Sequence, residues 1–150
     1  MKKIMFVCLG NICRSTLAEF LMRDLVEKKG EGEDFLIASS GTSDEEEGNP
    51  VHRGVREILD RMGISYKGKY ATTLKKSDYE KYDYFFGMDE SNVRSMHRIF
   101  GGDKDNKIRL FLSVAGENRG VADPYYSGNF SQTERDVKKG VQAIYEFLVK

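Results

Sequence analysis

The 150-residue sequence contains only two cysteines and two histidines, and it has no tryptophan. Two cysteines are too few for a framework of structural disulfides, and their scarcity fits a reducing compartment. No cysteines and histidines stand at the spacing of metal ligands, so we expect neither a metal nor another cofactor. His52 and His97 fall in helical segments away from the other motifs, where we expect both to lie on the surface.

Net charge is also absent, since 24 lysines and arginines balance 24 aspartates and glutamates. This balance gives no indication of nucleic-acid binding. No run approaches the ~18 apolar residues of a membrane span, and the N-terminus enters an apolar strand without the features of a signal peptide. We therefore expect a cytoplasmic protein that contacts neither nucleic acid nor membrane, folded as one domain over residues 1–150.

Strand-like and helix-like segments alternate along the chain, and this alternation predicts an α/β fold. Short apolar runs predict strands at residues 4–8, 35–38, 83–88 and 108–112. Cap residues predict helix starts at Thr16 with Glu19, at Asn49 with Pro50 in the first turn, and at Ser131. Successive strands then need crossover connections, so we expect a four-stranded parallel sheet with helices on both faces.

The segment from Cys8 to Ser15 lies between the first predicted strand and its helix. A loop in that place brings backbone N–H groups and the positive end of a helix together, which suits an anion. Those groups and a nearby guanidinium stabilise a thiolate, so we expect Cys8 to be a nucleophile that is ionised at rest. Arg14 has a planar guanidinium group that can donate hydrogen bonds to two phosphoryl oxygens at once. We expect Ser15 to donate its hydroxyl to the Cys8 sulfur and help the thiolate to leave.

Three further loop residues complete this prediction. Gly10 lets the backbone approach an anion closely, and Asn11 tolerates the left-handed conformation that aims successive N–H groups inward. Cys13 leaves two alternatives open. It packs in the interior, or it forms a disulfide with Cys8 on oxidation and so protects the nucleophile from irreversible damage.

The loop, in the run Cys8-Leu9-Gly10-Asn11-Ile12-Cys13-Arg14-Ser15 with Ala18-Glu19 behind it, resembles the signature loop of the low-molecular-weight protein tyrosine phosphatases. Four other segments resemble motifs of that family in its order: Ser39-Ser40-Gly41-Thr42-Ser43, Gly48-Asn49-Pro50, Met88-Asp89-Glu90-Ser91-Asn92 and Asp123-Pro124-Tyr125-Tyr126. The resemblance covers nearly the whole chain. It implies a flavodoxin-like fold of the phosphotyrosine protein phosphatase I type.

The resemblance also implies an activity, the hydrolysis of phosphotyrosine through a phosphocysteine on Cys8. Asp123 is implied as the acid that protonates the leaving phenolate and as the base that then activates water. Arg14 is implied as the third catalytic residue. The residues implied to bind the phosphate or wall the cleft are Leu9, Gly10, Asn11, Ile12, Cys13, Ser15, Tyr125 and Tyr126.

Two residues behind the loop are implied to support it. Ser39 would hold Asn11 by a hydrogen bond, and Asp89 is either an ordinary helix cap or a partner that helps to hold the site near Arg14. The chain also departs from the family at three places. The acidic run 44–47 stands where many members place an aromatic side chain at the cleft rim, and Lys69 and Thr72 stand where His and Arg are usual beneath the loop.

The partners implied are phosphotyrosine-containing proteins, with a cognate tyrosine kinase among the candidates, and the protein itself is a monomer or a weak homodimer. Three alternative functions differ at particular residues. Related arsenate reductases need additional cysteines to relay a disulfide, and this chain has only two. Protein arginine phosphatases typically carry Thr in place of Ile12. A phosphate-binding or phosphocarrier module would have no need of Asp123 as an acid.

Overall fold

The computed structural model describes residues 1–150 and contains four strands: β1 (Lys2–Cys8), β2 (Phe35–Gly41), β3 (Tyr84–Gly87) and β4 (Ile108–Leu110). They form one sheet in the order β2-β1-β3-β4, and every neighbouring pair is parallel. The predicted four-stranded parallel sheet is confirmed. Its strand limits differ by a few residues, since β2 continues to Gly41 and β4 ends at Leu110.

Five α-helices accompany the sheet: α1 (Arg14–Lys28), α2 (Arg53–Met62), α3 (Glu90–Phe100), α4 (Pro124–Ser127) and α5 (Phe130–Val149). Helices α1, α2 and α5 contribute to a large apolar core on one face of the sheet. Helix α3 packs on the opposite face in a smaller core. None of the helices is both long and apolar enough to cross a membrane.

The central strand β1 shows why the sheet is buried on both faces. Successive side chains of a strand point to opposite faces. Ile4 and Phe6 accordingly belong to the large core, while Met5 and Val7 belong to the small one. A strand covered on both faces has a continuous apolar sequence, and this run ends at Cys8, at the carboxyl edge of the sheet.

The predicted start of the second helix was wrong. Helix α2 begins at Arg53, and its N-cap is His52, whose Nδ1 accepts from the backbone N–H of Gly54 at 3.0 Å. Asn49 and Pro50 lie before the helix, and Pro50 forms an isolated antiparallel bridge with Tyr70. That pairing with a distant segment overrides the local cap signal.

Two other predicted caps were also wrong. Helix α5 begins at Phe130 with Asn129 as its cap, since the Asn129 side chain accepts from the backbone N–H of Gln132 at 3.0 Å. Helix α1 begins at Arg14, and no side chain caps it. The Thr16 hydroxyl instead donates to the backbone oxygen of Asn11 at 2.8 Å.

Candidate active site

The loop between β1 and α1 leaves a row of backbone N–H groups without acceptors in the protein. These are the amides of residues 9, 10, 12, 13 and 14, while the N–H of Asn11 donates to the Cys8 sulfur at 3.3 Å. Asn11 adopts the left-handed conformation, with a φ of 59°. Free amides in a tight loop at the N-terminus of a 15-residue helix make a site for an anion.

The Asn11 side chain holds this loop in its conformation. It is 1% exposed, and its Nδ2 donates to Ser15 Oγ and to Ser39 Oγ, both at 2.9 Å. Its Oδ1 accepts from the backbone N–H of Thr72 at 3.0 Å. The left-handed turn is therefore tied at three points to the strand, helix and loop around it.

Cys8 lies at the floor of the loop, at the end of β1, and is 3% exposed. Its Sγ is 2.9 Å from the hydroxyl oxygen of Ser15. With the N–H of Asn11, the sulfur has two hydrogen-bond partners that suit a thiolate.

Arg14 is a buried cation whose guanidinium reaches across the site. Its Nη1 donates to Asp89 Oδ2 at 2.8 Å and to the backbone oxygen of Val121 at 2.9 Å, and its Nη2 lies 3.3 Å from Asp123 Oδ2. Burial lowers the pKa of Arg14, but Cys8, Asp89 and Asp123 outweigh that effect and raise it above its ordinary value. The buried Nε has no acceptor. The Nε–H of the charged Arg14 guanidinium thus remains free to donate to a ligand.

Asp89 fills both of the roles that the sequence left open. Its Oδ1 accepts from the backbone N–H of Asn92 at 2.8 Å and caps α3, while its Oδ2 accepts from Arg14. Since Asp89 lies in the two-residue bend between β3 and α3, one carboxylate fixes a helix start and the guanidinium together.

Asp123 caps the short helix α4 at the open side of the site. Its Oδ1 accepts from the backbone N–H of Tyr125 at 3.1 Å, which leaves Oδ2 to meet Arg14. Tyr125 and Tyr126 follow directly, 56% and 76% exposed, with their rings edge to face at 5.2 Å. A single short segment of the chain therefore places the Asp123 carboxyl group and the two phenol rings at the site.

These groups surround a cleft of about 120 Å³. Its twelve lining residues are Cys8, Leu9, Gly10, Ile12, Cys13, Arg14, Ser43, Glu45, Glu46, Asp123, Tyr125 and Tyr126. The structure therefore brings the predicted catalytic residues and both tyrosines to one cavity. Asn11, Ser15 and Asp89 lie behind it and contact residues that line it, and Ser39 contacts Asn11.

The sequence model for the family described as "Low molecular weight phosphotyrosine protein phosphatase" matches residues 3–150. The chain belongs to this family. It is 37% identical to the low molecular weight protein-tyrosine-phosphatase YfkJ of Bacillus subtilis over 152 residues, which cover 100% of this chain and 97% of YfkJ. It is 41% identical to a low molecular weight phosphotyrosine protein phosphatase of Schizosaccharomyces pombe over 130 residues, covering 85% of this chain and 83% of that protein.

Solved phosphatases of the family share the fold. The crystal structure of YfkJ superposes with a TM-score of 0.95 at 37% identity, over 99% of this chain and 94% of YfkJ. SP-PTP, the low molecular weight protein tyrosine phosphatase of Streptococcus pyogenes, superposes with a TM-score of 0.88 at 40% identity, over 99% of this chain and 93% of SP-PTP. The family identified from the loop motif is thus confirmed.

The environments of two residues near the phosphatase site, Glu19 and His52, were not predicted from the sequence. Glu19, expected to complete a capping box, is 3% exposed and accepts from the Ser39 hydroxyl at 2.5 Å. His52, expected at the surface away from the motifs, stacks on Phe130 at 5.1 Å and meets the Tyr125 ring edge at 6.1 Å. For Glu19 the only signal was its place in the family motif. For His52 the signal was the lack of another cap residue directly before Arg53.

Lys69 and Thr72 take part in the same substructure although they depart from the usual family residues. Lys69 Nζ lies 3.2 Å from Glu19 Oε1 and donates to the backbone oxygen of Ser39 at 3.3 Å. The Thr72 hydroxyl donates to the same backbone oxygen at 3.2 Å. Both side chains therefore form polar contacts with β2 beneath the loop of this phosphatase.

The acidic run 44–47 of this phosphatase lies at the cleft, where the family resemblance placed it. Glu45 and Glu46 line the cavity, and Glu46 Oε2 accepts from the Asn49 side chain at 2.6 Å. A Cβ on Gly10 would lie 3.1 Å from Glu46 Cγ, so the absence of a side chain at Gly10 makes room for Glu46. Carboxylates thus form part of the rim around the phosphate loop.

Cys13 has a different environment from Cys8, although both are free thiols. It is 3% exposed and lines the cleft. Burial, and then the charges of Cys8 and Asp123, raise the pKa of the Cys13 thiol well above its ordinary range. Cys13 is therefore a neutral thiol beside the site. No three histidine, cysteine, aspartate or glutamate side chains are grouped as metal ligands anywhere in the chain.

Proposed function

We propose that this protein is a protein tyrosine phosphatase that hydrolyses phosphotyrosine and other aryl phosphomonoesters through a phosphocysteine intermediate. The observation that carries this proposal is the free Nε of Arg14, buried in the same cleft as the Cys8 thiol and the unpaired loop amides. A dianionic phosphoryl group supplies the acceptors that all of these donors lack. The names of the relatives support phosphotyrosine as the substrate.

In the first step the phosphoryl group binds to the loop amides and to the Arg14 fork. Cys8 Sγ attacks phosphorus, so that a sulfur–phosphorus bond forms while the bond from phosphorus to the phenolic oxygen breaks. Asp123 gives its proton to that oxygen, and the phenol leaves neutral. Its carboxyl group leaves Arg14 to do so, and the 3.3 Å separation from Nη2 marks a contact that binding of phosphate can replace.

In the second step a water molecule attacks the phosphocysteine. Asp123, now a carboxylate, takes a proton from the water, the sulfur–phosphorus bond breaks, and inorganic phosphate forms. The Cys8 thiolate leaves with the Ser15 hydroxyl 2.9 Å from its sulfur. Since Asp123 must be protonated for the first step and ionised for the second, activity should follow a bell-shaped pH profile with its maximum on the acid side of neutrality.

The walls of the cleft favour an aromatic leaving group. Tyr125 and Tyr126 present exposed rings on one side, and Ile12 lines the cavity as an apolar side chain. A phenyl ring gains by packing on such rings. The partners we propose are phosphotyrosine-containing proteins of the reducing cytoplasm, in signalling that involves a cognate tyrosine kinase.

The mechanism is tested with para-nitrophenyl phosphate. Cys8→Ser should abolish turnover and still bind inorganic phosphate or vanadate, because the amides and Arg14 remain. Cys13→Ser is the matched control and should keep measurable turnover. Hydrolysis by Cys8→Ser at the wild-type rate would rule out the phosphocysteine.

The role of Asp123 is tested with a series of aryl phosphates. Asp123→Ala should strongly slow the hydrolysis of phenyl phosphate and should slow the hydrolysis of esters of very acidic phenols much less, because a good leaving group needs little protonation. An equal loss of hydrolysis rate for every ester in the series would show that Asp123 is not the general acid.

A further inference from the structure

His52 has no part in the proposed mechanism, yet it connects the phosphate loop with the rim of the cleft. Its backbone N–H donates to the Ile12 oxygen of the loop at 3.0 Å. Its ring meets the Tyr125 ring edge to face, with the centroids 6.1 Å apart and the planes at 75°. One residue therefore contacts the loop through its backbone and the tyrosine wall through its side chain.

Two contacts fix the orientation of the His52 ring. Its Nδ1 accepts from the backbone N–H of Gly54 at 3.0 Å, in the first turn of α2. One face of the ring stacks on Phe130, with the centroids 5.1 Å apart and the planes at 22°. A ring with a hydrogen bond at its edge and a second ring on its face has little freedom to turn.

Phe130 is in turn held against helix α2 by the absence of a side chain at Gly54. A Cβ on Gly54 would lie 2.4 Å from Phe130 Cε1 and 2.5 Å from Phe130 Cζ, so the ring lies directly on the helix backbone. Phe130 is also the first residue of α5 and packs against the large apolar core. The stack of Phe130 and His52 is therefore anchored in the folded interior.

The exposed Tyr125 ring has two aromatic neighbours. One is Tyr126, which is more exposed still and whose ring pairs with Tyr125 alone. The other is His52, which is half-buried and stacked on Phe130. Since only His52 is anchored to the core, it is the contact that sets where the Tyr125 ring lies.

We propose that His52 is a positioning residue that holds the Tyr125 ring as a wall of the cleft and so favours ligands with an aryl group. His52 is not among the residues that line the cleft, and it acts through Tyr125. The inference rests on the proposed function, in which the phenyl ring of phosphotyrosine packs on the tyrosine wall. The phosphoryl group binds elsewhere, to the loop amides and Arg14. The backbone contact with Ile12 remains whatever the side chain at position 52.

The experiment compares the binding of benzylphosphonate and methylphosphonate, measured by calorimetry. Both probes carry the phosphonate group, but only benzylphosphonate has a ring that can pack on Tyr125. In His52→Asn the amide oxygen can still accept from Gly54, so the helix cap remains and the ring is lost. The affinity for benzylphosphonate should fall about two- to tenfold, the equivalent of one aromatic pair, while the affinity for methylphosphonate should be unchanged.

Three further variants separate the ring from the cap. His52→Phe keeps the ring and should keep the preference for benzylphosphonate, although its unfolding temperature should fall because the Gly54 N–H loses its acceptor. Tyr125→Ala should lose the preference by itself, and adding His52→Asn to it should cause no further loss, because His52 acts through Tyr125. His97→Asn changes the other histidine, which is exposed on α3, and should match wild type.

An unchanged ratio of the two affinities in folded His52→Asn would overturn the inference. A further loss in the double variant, or equal affinity of wild type for the two phosphonates, would also overturn it. Should His52→Asn fail to fold, Phe130→Leu removes the ring on which His52 stacks and should lower the same ratio. Calorimetry needs no turnover, so this result is separate from a failure of the proposed hydrolysis.

Discussion

Gly41 lies where strand β2 meets the phosphate loop, and the lack of a side chain there sets the position of the loop. A Cβ built on Gly41 would lie 2.7 Å from the backbone oxygen of Leu9, 3.1 Å from the carbonyl carbon of Gly10 and 3.3 Å from the nitrogen of Asn11. All three contacts are with backbone, which no rotamer change can relieve. We predict that Gly41→Ala displaces the phosphate loop.

The size of the displacement follows from these distances. Ordinary van der Waals contact begins near 3.4 Å, so the Leu9 oxygen must retreat by about 0.7 Å. Gly41 itself cannot yield easily, because its N–H donates to Thr72 and its oxygen accepts from Leu74, both at 2.8 Å. Overpacking of this kind costs about 1–3 kcal/mol of stability. Misplacing a site by ~1 Å can cost about 100-fold in rate, so we expect a loss of kcat/KM between about tenfold and 100-fold.

The assay combines three measurements on wild type and Gly41→Ala: thermal unfolding, kcat/KM for para-nitrophenyl phosphate, and inhibition by inorganic phosphate. Gly140→Ala is the matched control, because a Cβ there meets the Phe111 ring in the large core, away from the cleft. The control should lose stability and keep its affinity for phosphate. Unchanged kcat/KM and phosphate affinity in folded Gly41→Ala would refute the reasoning.

Three further predictions concern other parts of the molecule. Arg61, which donates two hydrogen bonds, lowers the pKa of Glu134 to about 2, so this carboxylate stabilises the fold above pH ~4.5 and loses that effect as the pH falls toward 2. Urea unfolding should show Glu134→Gln less stable than wild type by about 0.5–1 kcal/mol at pH 7, with the gap shrinking as the pH falls from about 4.5 toward 2; a gap that does not shrink over that range would contradict this sign. At low salt the carboxylates of Glu45 and Glu46 should give phosphotyrosine peptides with basic flanks a higher kcat/KM than peptides with acidic flanks, and replacing both residues by Lys should reverse this preference. If neither salt nor charge reversal changes the ratio of the two kcat/KM values, the acidic run is solvated surface without a role in specificity. Ile12→Thr should shift relative kcat/KM from phosphotyrosine toward phosphoarginine by removing an apolar wall, and a wild type that already prefers phosphoarginine would show the substrate assignment to be wrong.

The strands were predictable from the sequence because a parallel strand buried on both faces must be apolar at nearly every position. β1 shows this from Ile4 to Val7. The left-handed Asn11, and the placement of Cys8 and Arg14 at one cleft, could also be predicted, since all three residues lie in one short loop whose geometry is local. The prediction of Asp123 as the acid depended on family resemblance, because nothing near it in the sequence indicates that it contacts Arg14.

The helix starts could not be predicted from cap residues alone. Thr16 is a good cap by type, but its hydroxyl bonds to Asn11, and Pro50 pairs with Tyr70 instead of opening a helix. The Thr16 hydroxyl is taken up by a carbonyl of the preceding loop and Pro50 by pairing with a later segment, so a contact outside the helix takes over the group that the cap rule assigns. Glu19 was misassigned for the same reason, since its partners Ser39 and Lys69 belong to later segments of the chain.

The contacts of Arg14 also bear on when the protein becomes active during synthesis. Its guanidinium is bound by Asp89, 75 residues later, and by the backbone of Val121, 107 residues later. Closing such long loops is slow, and the contacts cannot form before those residues have left the ribosome. A growing chain therefore carries Cys8, the proposed nucleophile, from the start, but without the arginine geometry that the proposed mechanism requires. Prematurely terminated chains that end before Val121 should accordingly be inactive toward phosphate esters.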